Sequence, residues 1–376
     1  MRYRFLLAVL AASSAVTLVA AQTVYARADA GGSVVFVQTN ETSGNHVVSY
    51  DVGSDGQLAR ADTYATGGNG GTALPGNESD QLASQGSLVY DASHRLLIAV
   101  NAGSDSVSTF SVDGNRLELT DVVASGGEFP ASIAVHGNLV YVLNSGGVGI
   151  VQGFRIAGAK LQPIPHSVRS LGLANTDPPF FLTSPGQVGF TPDGRQLLVT
   201  TKASGDMIDV FGVEANGRLS ATPVRNASAT PVPFAFTFTP SGRLAVGEAG
   251  TSSLSTYTVQ TSGTLADPKS QSDGQAALCW ILRVGDFYYV SNTGNNTLSA
   301  FQISAAGQPS LVGATGVVAT TGAGPIDLTS PTGTRFLYAQ IGSGTVEEFQ
   351  VNGDGSLTKL GVVGGLPVGM EGIAST

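Results

Sequence analysis

The sequence predicts an all-β fold, a seven-bladed β-propeller with four-stranded antiparallel blades, on three observations. The chain has 50 glycines in 376 residues and only 12% charged residues, a composition typical of turn-rich sheet proteins rather than helical ones. Short apolar runs are separated by turns that contain Gly or Asn. This arrangement returns about seven times along the chain, at a spacing typical of propeller blades.

The stretch 129–157 shows the repeating unit most clearly. It predicts strands at 131–135 (ASIAV), 139–144 (LVYVLN) and 150–156 (IVQGFRI), separated by the turns HGN and SGG. In most repeats a Gly-bearing turn such as SDGQL, ANGRL or GDGSL then leads to a looser outer strand. The sequences FTPDGR and FTPSGR, which lie between inner and second strands, have the residues that type I turns favour. Each repeat is therefore a four-stranded meander.

The period is visible at the residue that ends each second strand. Successive ends are 61, 43, 58, 46, 44 and 48 residues apart, and the two longest intervals contain insertions at 65–83 and 163–183. These strand ends are Asn40, Asn101, Asn144, Lys202, Glu248, Asn292 and Gln340. Repeats of 40–50 residues with about four strands each predict one propeller blade per repeat.

The two ends of the chain together supply one complete four-stranded repeat. The first repeat begins directly at its second strand (33–40), and the C-terminal segment 368–374 (VGMEGIA) supplies an extra inner strand. Pairing these segments would close the ring and remove the free sheet edges that invite aggregation. We therefore predict one closed propeller domain over residues 31–376.

The N-terminal sequence predicts a secretory signal peptide over residues 1–30. Arg2 and Arg4 precede an uncharged run from residue 5 to 21, and small-x-small patterns follow it. An uncleaved membrane anchor is the alternative, although the run of 17 residues is short for a span. Cleavage would remove three arginines and one aspartate, which takes the formal charge from −9 to −11. A secreted or periplasmic monomer with no membrane span after processing is expected, and the acidic balance argues against nucleic acid as a partner.

One face of the ring is predicted to carry the function. Both insertions join an outer strand to the next inner strand, on the same side as the seven strand ends given above. Long ordered loops are commonly functional. Glu248 is the best acid–base candidate on this face, and Lys202, at the equivalent position one blade earlier, could be its electrostatic partner. Alternatively, the two form a solvated ion pair of little energetic value.

A small molecule is the expected ligand, and further residues are candidates for binding it. Gln187, Trp280 and Glu371 begin inner strands near the channel mouth, Arg283 lies later on the same strand as Trp280, and Asn144 and Asn292 end second strands. Trp280 could instead pack between blades, and Arg283 could pair with Asp286.

No metal or cofactor is predicted from the sequence. The four histidines make no ligand set by their spacing, and the single cysteine, Cys279, is more typical of a buried small hydrophobe than of a nucleophile.

Several stretches resemble the lactonase-type seven-bladed propellers, which include 6-phosphogluconolactonases and carboxymuconate cyclases. They are PDGRQLLVT (192–200), GDMIDVFGVEANGRL (205–219), FTFTPSGRLAVGEA (236–249) and YYVSNTGNNTLSAFQISAAG (288–307). The resemblance spans the chain after residue 30 and implies the propeller fold and a lactone substrate. It also implies catalytic roles for the two acidic positions that match the family pattern, Asp206 and Glu248.

Elsewhere the chain departs from that family pattern. The family's His position falls within Ser184-Pro185-Gly186-Gln187, and its two Arg positions fall at Pro233-Phe234 and Thr293. Without these arginines, a sugar phosphate or a tricarboxylate is not the expected substrate.

Two functions from different classes follow. In the first, the protein is a secreted lactonase-like enzyme that hydrolyses or cycloisomerises a small lactone or cyclic ester, with Glu248 as acid–base group and Lys202 and Asp206 as helpers. In the second, it is a non-catalytic propeller that binds a protein, a glycan or a small ligand at the same face.

Overall fold

The computed structural model describes residues 32–76 and 79–376. The predicted signal peptide, residues 1–30, lies outside the described residues. Within them the chain forms thirty strands and one short 3₁₀ turn (Ala102–Ser104). The described residues include no helix long and apolar enough to cross a membrane.

The strands group into seven antiparallel sheets in chain order. Blade 1 contains β1 (Val34–Gln38), β2 (His46–Val52) and β3 (Leu58–Ala65). Blade 2 contains β4 (Leu88–Asp91), β5 (Leu96–Asn101), β6 (Ser106–Asp113) and β7 (Arg116–Ala124). Blade 3 contains β8 (Pro130–His136), β9 (Leu139–Asn144), β10 (Ile150–Ala157), β11 (Lys160–Pro163) and the short β12 (Arg169–Ser170).

The remaining blades follow the same plan. Blade 4 contains β13 (Gln187–Phe190), β14 (Gln196–Thr200), β15 (Met207–Gly212) and β16 (Val224–Ala227). Blade 5 contains β17 (Pro233–Phe238), β18 (Leu244–Glu248), β19 (Ser253–Val259) and β20 (Leu265–Ser272). Blade 6 contains β21 (Leu278–Val284), β22 (Phe287–Asn292), β23 (Thr297–Ile303), β24 (Pro309–Leu311) and β25 (Val317–Thr320). Blade 7 contains β26 (Pro325–Thr329), β27 (Phe336–Ile341), β28 (Thr345–Val351) and β29 (Leu357–Val363).

The last strand, β30 (Ile373–Ser375), closes the ring. It pairs antiparallel with β1, with Phe36 opposite Ala374 and Val37 opposite Ile373. The predicted seven-bladed fold and the predicted closure by the C-terminal segment are confirmed. Because β30 is the inner strand of blade 1, both ends of the chain are held in one sheet.

The core is divided among the seven junctions between blades. Side chains alternate between the two faces of each strand, so every blade gives one apolar set to each neighbour. Seven buried apolar clusters result, one at each junction; for example, Leu97 and Phe110 of blade 2 pack with Phe36 of blade 1. The ring therefore has no central core, and its channel is free to hold other groups.

A repeated hydrogen bond explains the glycine of the turn between third and fourth strands. Tyr141, Tyr289 and Tyr338 each donate their hydroxyl, over 2.8–2.9 Å, to the carbonyl of that glycine in the next blade. The acceptors are Gly217, Gly355 and Gly56. All three have φ between +82° and +87°, and a Cβ added there would lie within 2.7 Å of a packed side chain. Glycine is required at this turn by both backbone and space.

Candidate functional site

The two insertions meet over one end of the channel. Leu74 of the first insertion and Phe180 of the second form a parallel β-bridge. The Leu74 amide donates to the Pro179 carbonyl (2.8 Å), and the Phe181 amide donates back to the Leu74 carbonyl (2.9 Å). We call these paired insertions the lid. The lid lies on the same side of the ring as Lys202, as the meander geometry predicts.

Residues 80–85, which follow the bridge in the first insertion, enter the channel and form a plug. The Trp280 indole of blade 6 donates to the Ser84 carbonyl (2.9 Å), and the Ser84 hydroxyl donates to the Ala131 carbonyl of blade 3 (2.7 Å). The Gln85 amide group reaches Ile281 of blade 6 with both its atoms, donating to the carbonyl (3.1 Å) and accepting from the N–H (2.9 Å). The plug therefore joins several blades across the channel.

Lys202 joins the plug to the second insertion through hydrogen bonds. It follows β14, is fully buried, and its ammonium group donates to the carbonyls of Ala83 (2.6 Å) and Phe181 (2.5 Å). Its third hydrogen bond goes to the Ser184 hydroxyl (2.9 Å). The ammonium nitrogen also lies 5.0 Å from the centre of the Phe234 ring. All three ammonium donors are thus satisfied by the chain itself.

Two carboxyl groups complete the cluster. Glu371, just before β30, accepts from the amides of Leu82 (2.5 Å) and Ser84 (3.2 Å) of the plug. A hydrogen bond joins its carboxyl group to that of Asp80. Asp80 is 6% exposed, and its Oδ1 makes no hydrogen bond to the described residues. Asp80, Lys202 and Glu371 therefore form one buried ionisable cluster at the channel mouth.

Burial shifts all three pKa values. Loss of solvation, followed by the nearby Asp80 charge, raises the pKa of Glu371 well above its ordinary value. Loss of solvation also raises the pKa of Asp80, although the Lys202 charge opposes this. Loss of solvation lowers the pKa of Lys202 to about 8. The environment thus favours a protonated Glu371 that donates to an ionised Asp80, beside an ammonium group whose proton is held less tightly than usual.

A cavity of about 320 Å³ lies in the channel beyond the plug. Gln85, Gln187 and Asp327 are among its lining residues, and its walls reach Thr329 and Ser375 at the ends of their inner strands. It therefore extends toward the side of the ring opposite the lid. The Gln187 side chain accepts from the Phe236 amide (2.6 Å), so this predicted ligand-binding residue links two inner strands.

The comparisons with known proteins agree with this architecture. The family model described as "Lactonase, 7-bladed beta-propeller" matches residues 29–156, which run into the third strand of blade 3. This first third of the chain resembles the lactonase family, and the described chain as a whole folds as a seven-bladed propeller. Among curated proteins, none matches the sequence significantly.

Solved structures match this propeller over almost its whole length. A protein from Lactobacillus plantarum has a TM-score of 0.72 at 20% identity, covering 91% of this chain and 98% of its own. A 6-phosphogluconolactonase candidate from Bacteroides uniformis has a TM-score of 0.70 at 17% identity, covering 92% and 99%. The periplasmic gluconolactonase of Pseudomonas aeruginosa has a TM-score of 0.69 at 19% identity, covering 91% and 98%. At these identities the likeness shows the fold.

Glu248 of the propeller lies away from the cluster. It is fully buried and accepts five hydrogen bonds, which come from the hydroxyls of Ser228, Thr230, Ser255 and Tyr257 and from the Thr230 amide. It is therefore not a solvated rim residue, and it makes no ion pair with Lys202. Its carboxylate is satisfied within blade 5 and the chain that enters it. The catalytic role expected of Glu248 stays a prediction.

The other predicted helper, Asp206, has a local role in the structure. Its carboxylate accepts from the Val232 amide (2.8 Å), and its own amide donates to the Lys202 carbonyl (3.0 Å). The backbones of Asp206 and Lys202 are thus joined, while the Lys202 ammonium group points to the lid. A catalytic role for Asp206 likewise stays a prediction.

The predicted ligand-binding residues divide into two groups. Trp280 and Glu371 contact the plug, and the Trp280 ring lies 4.8 Å from that of Phe234 of the neighbouring blade. Both interpretations of Trp280, contact at the channel mouth and packing between blades, therefore describe part of its environment. Asn144 and Asn292 are buried. Asn144 donates to the Ser125 carbonyl, in the connection from blade 2 to blade 3, and Asn292 donates to the Ser299 hydroxyl of its own blade. Their ligand-binding roles stay predictions.

Arg283 and Cys279 lie on β21 in different surroundings. Arg283 is exposed and is not among the residues that line the channel cavity; its charge acts on the nearby Tyr288 hydroxyl. Cys279 is buried, and loss of solvation raises the pKa of its thiol. This favours the interpretation of Cys279 as a small buried hydrophobe.

Asp80 is the cluster residue that the sequence patterns did not single out. It lies in the first insertion, where no repeat period fixes its position. One signal was present, since Asp80 and Glu78 are the only charged residues in an insertion of 19 residues. A carboxylate in such a segment has to face either solvent or a buried partner, and here the partners are Lys202 and Glu371.

Proposed function

We propose that this propeller hydrolyses a small lactone at the channel mouth, with Asp80, Lys202 and Glu371 as the reacting groups, after the lid moves. The observation that carries the proposal is the burial of these three groups together, with an acid and a base held in one hydrogen-bonded pair. Burying ionisable groups is costly, and pairs whose pKa values are pushed apart are typical of catalytic sites. The family match supports a lactone-related function.

The chemistry follows from the protonation states. Water adds to the lactone carbonyl carbon while Asp80 takes one of its protons. The Lys202 ammonium group donates to the carbonyl oxygen, which gains negative charge as the tetrahedral intermediate forms. The bond between the carbonyl carbon and the ring oxygen then breaks as Glu371 gives its proton to that oxygen. The proton on Asp80 returns to Glu371 through their hydrogen bond, and the product hydroxy acid ionises, releasing one proton.

Lid movement would make room for the substrate. In the closed state, the Ala83 and Phe181 carbonyls occupy the Lys202 donors that a lactone carbonyl would need. A substrate oxygen could replace either of them without leaving the ammonium group unpaired. Cycloisomerisation, the other reaction expected of a lactonase-like propeller, would use the same acid and base without adding water.

A pH-stat assay of the purified protein tests the proposal, because each turnover releases one proton. The panel contains glucono-δ-lactone, a muconolactone and unsubstituted γ- and δ-lactones. We expect turnover that falls at least about 100-fold in Lys202→Met and in Glu371→Gln. Lys160→Met, which changes an exposed lysine at the outer edge of blade 3, is the matched control and should keep wild-type rates. Unchanged rates in Lys202→Met would contradict the assigned chemistry.

One observation favours the second candidate, a non-catalytic propeller that binds a protein, a glycan or a small ligand at this face. All three Lys202 donors are satisfied by the chain's own atoms. The cluster therefore holds the plug and the second insertion in place without any substrate. If a folded protein turns over no lactone on the panel while a ligand binds and protects the lid from proteolysis, this candidate replaces the first.

We further propose that the protein acts outside the cytoplasm, as a monomer, after removal of residues 1–30. The sequence of the N-terminus supports export. Mass spectrometry of the exported protein would identify the mature N-terminus, and light scattering would give its mass in solution. A protein that keeps its N-terminus in the cytoplasm would contradict the proposal.

A further inference from the structure

The cavity that extends toward the side of the ring opposite the lid is separate from the reacting groups. Its volume of about 320 Å³ is in the range of natural small-molecule sites. Gln85 of the plug is among its lining residues, whereas Asp80, Lys202 and Glu371 are not. A ligand in this cavity would therefore occupy a different site from a substrate at the channel mouth.

Asp327 is the one charged side chain among the described residues that line this cavity. It lies on β26, is 4% exposed and accepts a hydrogen bond from the Leu328 amide (2.9 Å). The amides of Gly86 and Ile373 also donate to its carboxyl group. Because a carboxylate has about four positions for accepting hydrogen bonds, three amides leave it able to accept another.

No cation among the described residues compensates the charge of Asp327. Loss of solvation raises the pKa of this carboxyl group to about 7, and the groups that oppose the shift are backbone amides. Asp327 also takes part in none of the ion pairs of the described chain. An ionised carboxylate buried without a cation is unfavourable, so a positively charged ligand would stabilise it.

Uncharged polar groups line other parts of the cavity. The hydroxyls of Thr329 and Ser375 share a hydrogen bond (2.9 Å) at the ends of their inner strands. The side-chain oxygen of Gln187 accepts from the Phe236 amide, whereas its amide nitrogen donates to none of the described residues. These groups can exchange hydrogen bonds with hydroxyl groups of a ligand.

We infer that this cavity is a second binding site, which takes a small amino alcohol whose ammonium group pairs with the Asp327 carboxylate and whose hydroxyl group meets the polar walls. A metal ion fits less well, because it needs several oxygen ligands at short distance. In the described part of the chain, no three His, Cys, Asp or Glu side chains come together as metal ligands do. The inference does not depend on lactone hydrolysis at the lid.

Isothermal titration calorimetry of the purified protein at pH 8, in a buffer free of amines, tests the inference. Three probes of equal size are compared: protonated 3-amino-1-propanol, n-butylammonium, which lacks the hydroxyl group, and 1,3-propanediol, which lacks the charge. Sodium chloride and calcium chloride are titrated separately. We expect saturable one-to-one binding of 3-amino-1-propanol, several-fold weaker binding of n-butylammonium and at least about tenfold weaker binding of 1,3-propanediol.

Asp327→Asn should weaken the binding of 3-amino-1-propanol at least about tenfold. Asp286→Asn is the matched control, because it removes an exposed carboxylate from the turn after inner strand β21, on the same side of the ring, and should leave the affinity unchanged. Ser375→Phe, at a half-buried position of the cavity wall, should also weaken binding by filling space, and it decides the question if Asp327→Asn does not fold.

Four results would overturn the inference. They are the absence of saturable binding of 3-amino-1-propanol, equal or tighter binding of either of the other two probes, tighter binding of sodium or calcium ions, and unchanged affinity in a folded Asp327→Asn or Ser375→Phe protein.

Discussion

The Lys202 ammonium group donates to the Ala83 carbonyl over 2.6 Å, and this contact joins blade 4 to the plug that enters the channel from the first insertion. The two residues are 119 positions apart in the chain. Their contact lies beside the Asp80 and Glu371 carboxyl groups. Removal of the ammonium group should therefore affect both the ionisation of the cluster and the position of the plug.

Lys202→Met should lower the free energy of unfolding by about 3 kcal/mol near pH 8, because it leaves the Asp80 carboxylate buried without its cation. The loss should be smaller near pH 5, where Asp80 can take up a proton. Denaturant titrations of both proteins at the two pH values measure the difference. Equal losses at both values would indicate that Lys202 does not compensate Asp80.

Glu248→Gln should destabilise the protein by on the order of 3 kcal/mol, since one of the two oxygens that receive five hydrogen bonds becomes an amide nitrogen. In the fraction that remains folded, lactone turnover should stay close to wild type. A melting curve and the pH-stat rate, measured on one preparation, separate the two effects. A stable Glu248→Gln protein without activity would instead support Glu248 as the acid–base residue.

The free energy of unfolding should fall as pH rises from about 4 to about 7, in part because of Asp327. Burial raises the pKa of this carboxyl group to about 7, although the amides of Leu328, Gly86 and Ile373 donate to it. Within this range the unfolded chain has lost the proton that the native state keeps, so the unfolded state binds fewer protons. The slope from one such group is at most about 1.4 kcal/mol per pH unit.

Asp327→Asn removes this group and should flatten the profile. Denaturant titrations at pH 4.5 and pH 7.5 compare the variant with wild type, so contributions from other carboxyl groups cancel in the difference. A variant with the same pH dependence as wild type would show that Asp327 ionises as readily in the native state as in the unfolded chain.

Gly342→Ala should displace the plug. A Cβ at this position would lie 2.3 Å from the Ser79 carbonyl oxygen, next to Asp80. Because Trp280 is the single tryptophan and donates to Ser84, displacement of the plug should shift its fluorescence emission to longer wavelength. Gly212→Ala is the control, since a Cβ there meets no atom within 4 Å and should leave the emission unchanged. An unshifted spectrum in Gly342→Ala would show that the plug is held independently of blade 7.

The comparison of Glu248 with Lys202 shows where prediction from the repeats ends. The repeats predict that both residues end a second strand, but in the structure β18 ends at Glu248 whereas β14 ends at Thr200, two residues before Lys202. The predicted equivalence of the two positions is therefore wrong. Their surroundings differ because neighbouring loops differ, since blade 5 offers Glu248 four hydroxyl groups whereas the insertions offer Lys202 two carbonyls and one hydroxyl. The repeat predicts the approximate place of a residue in the ring. The groups that it contacts depend on its exact position at the strand end and, for Lys202, on the insertions, which do not repeat.

The sequence by itself determined the number of blades, the strand order, the closure of the ring by the C-terminal segment and the glycine turns. These features depend on local alternation and on turns of a few residues, which repeat and can be aligned. Only the tertiary structure decided that Asp80, Lys202 and Glu371 meet. The three residues come from an irregular insertion, a strand end and the closing segment, and they meet because the channel is where inner strands converge. No periodic signal encodes contacts between segments so far apart in the chain, so the candidate site appears only when the ring has closed.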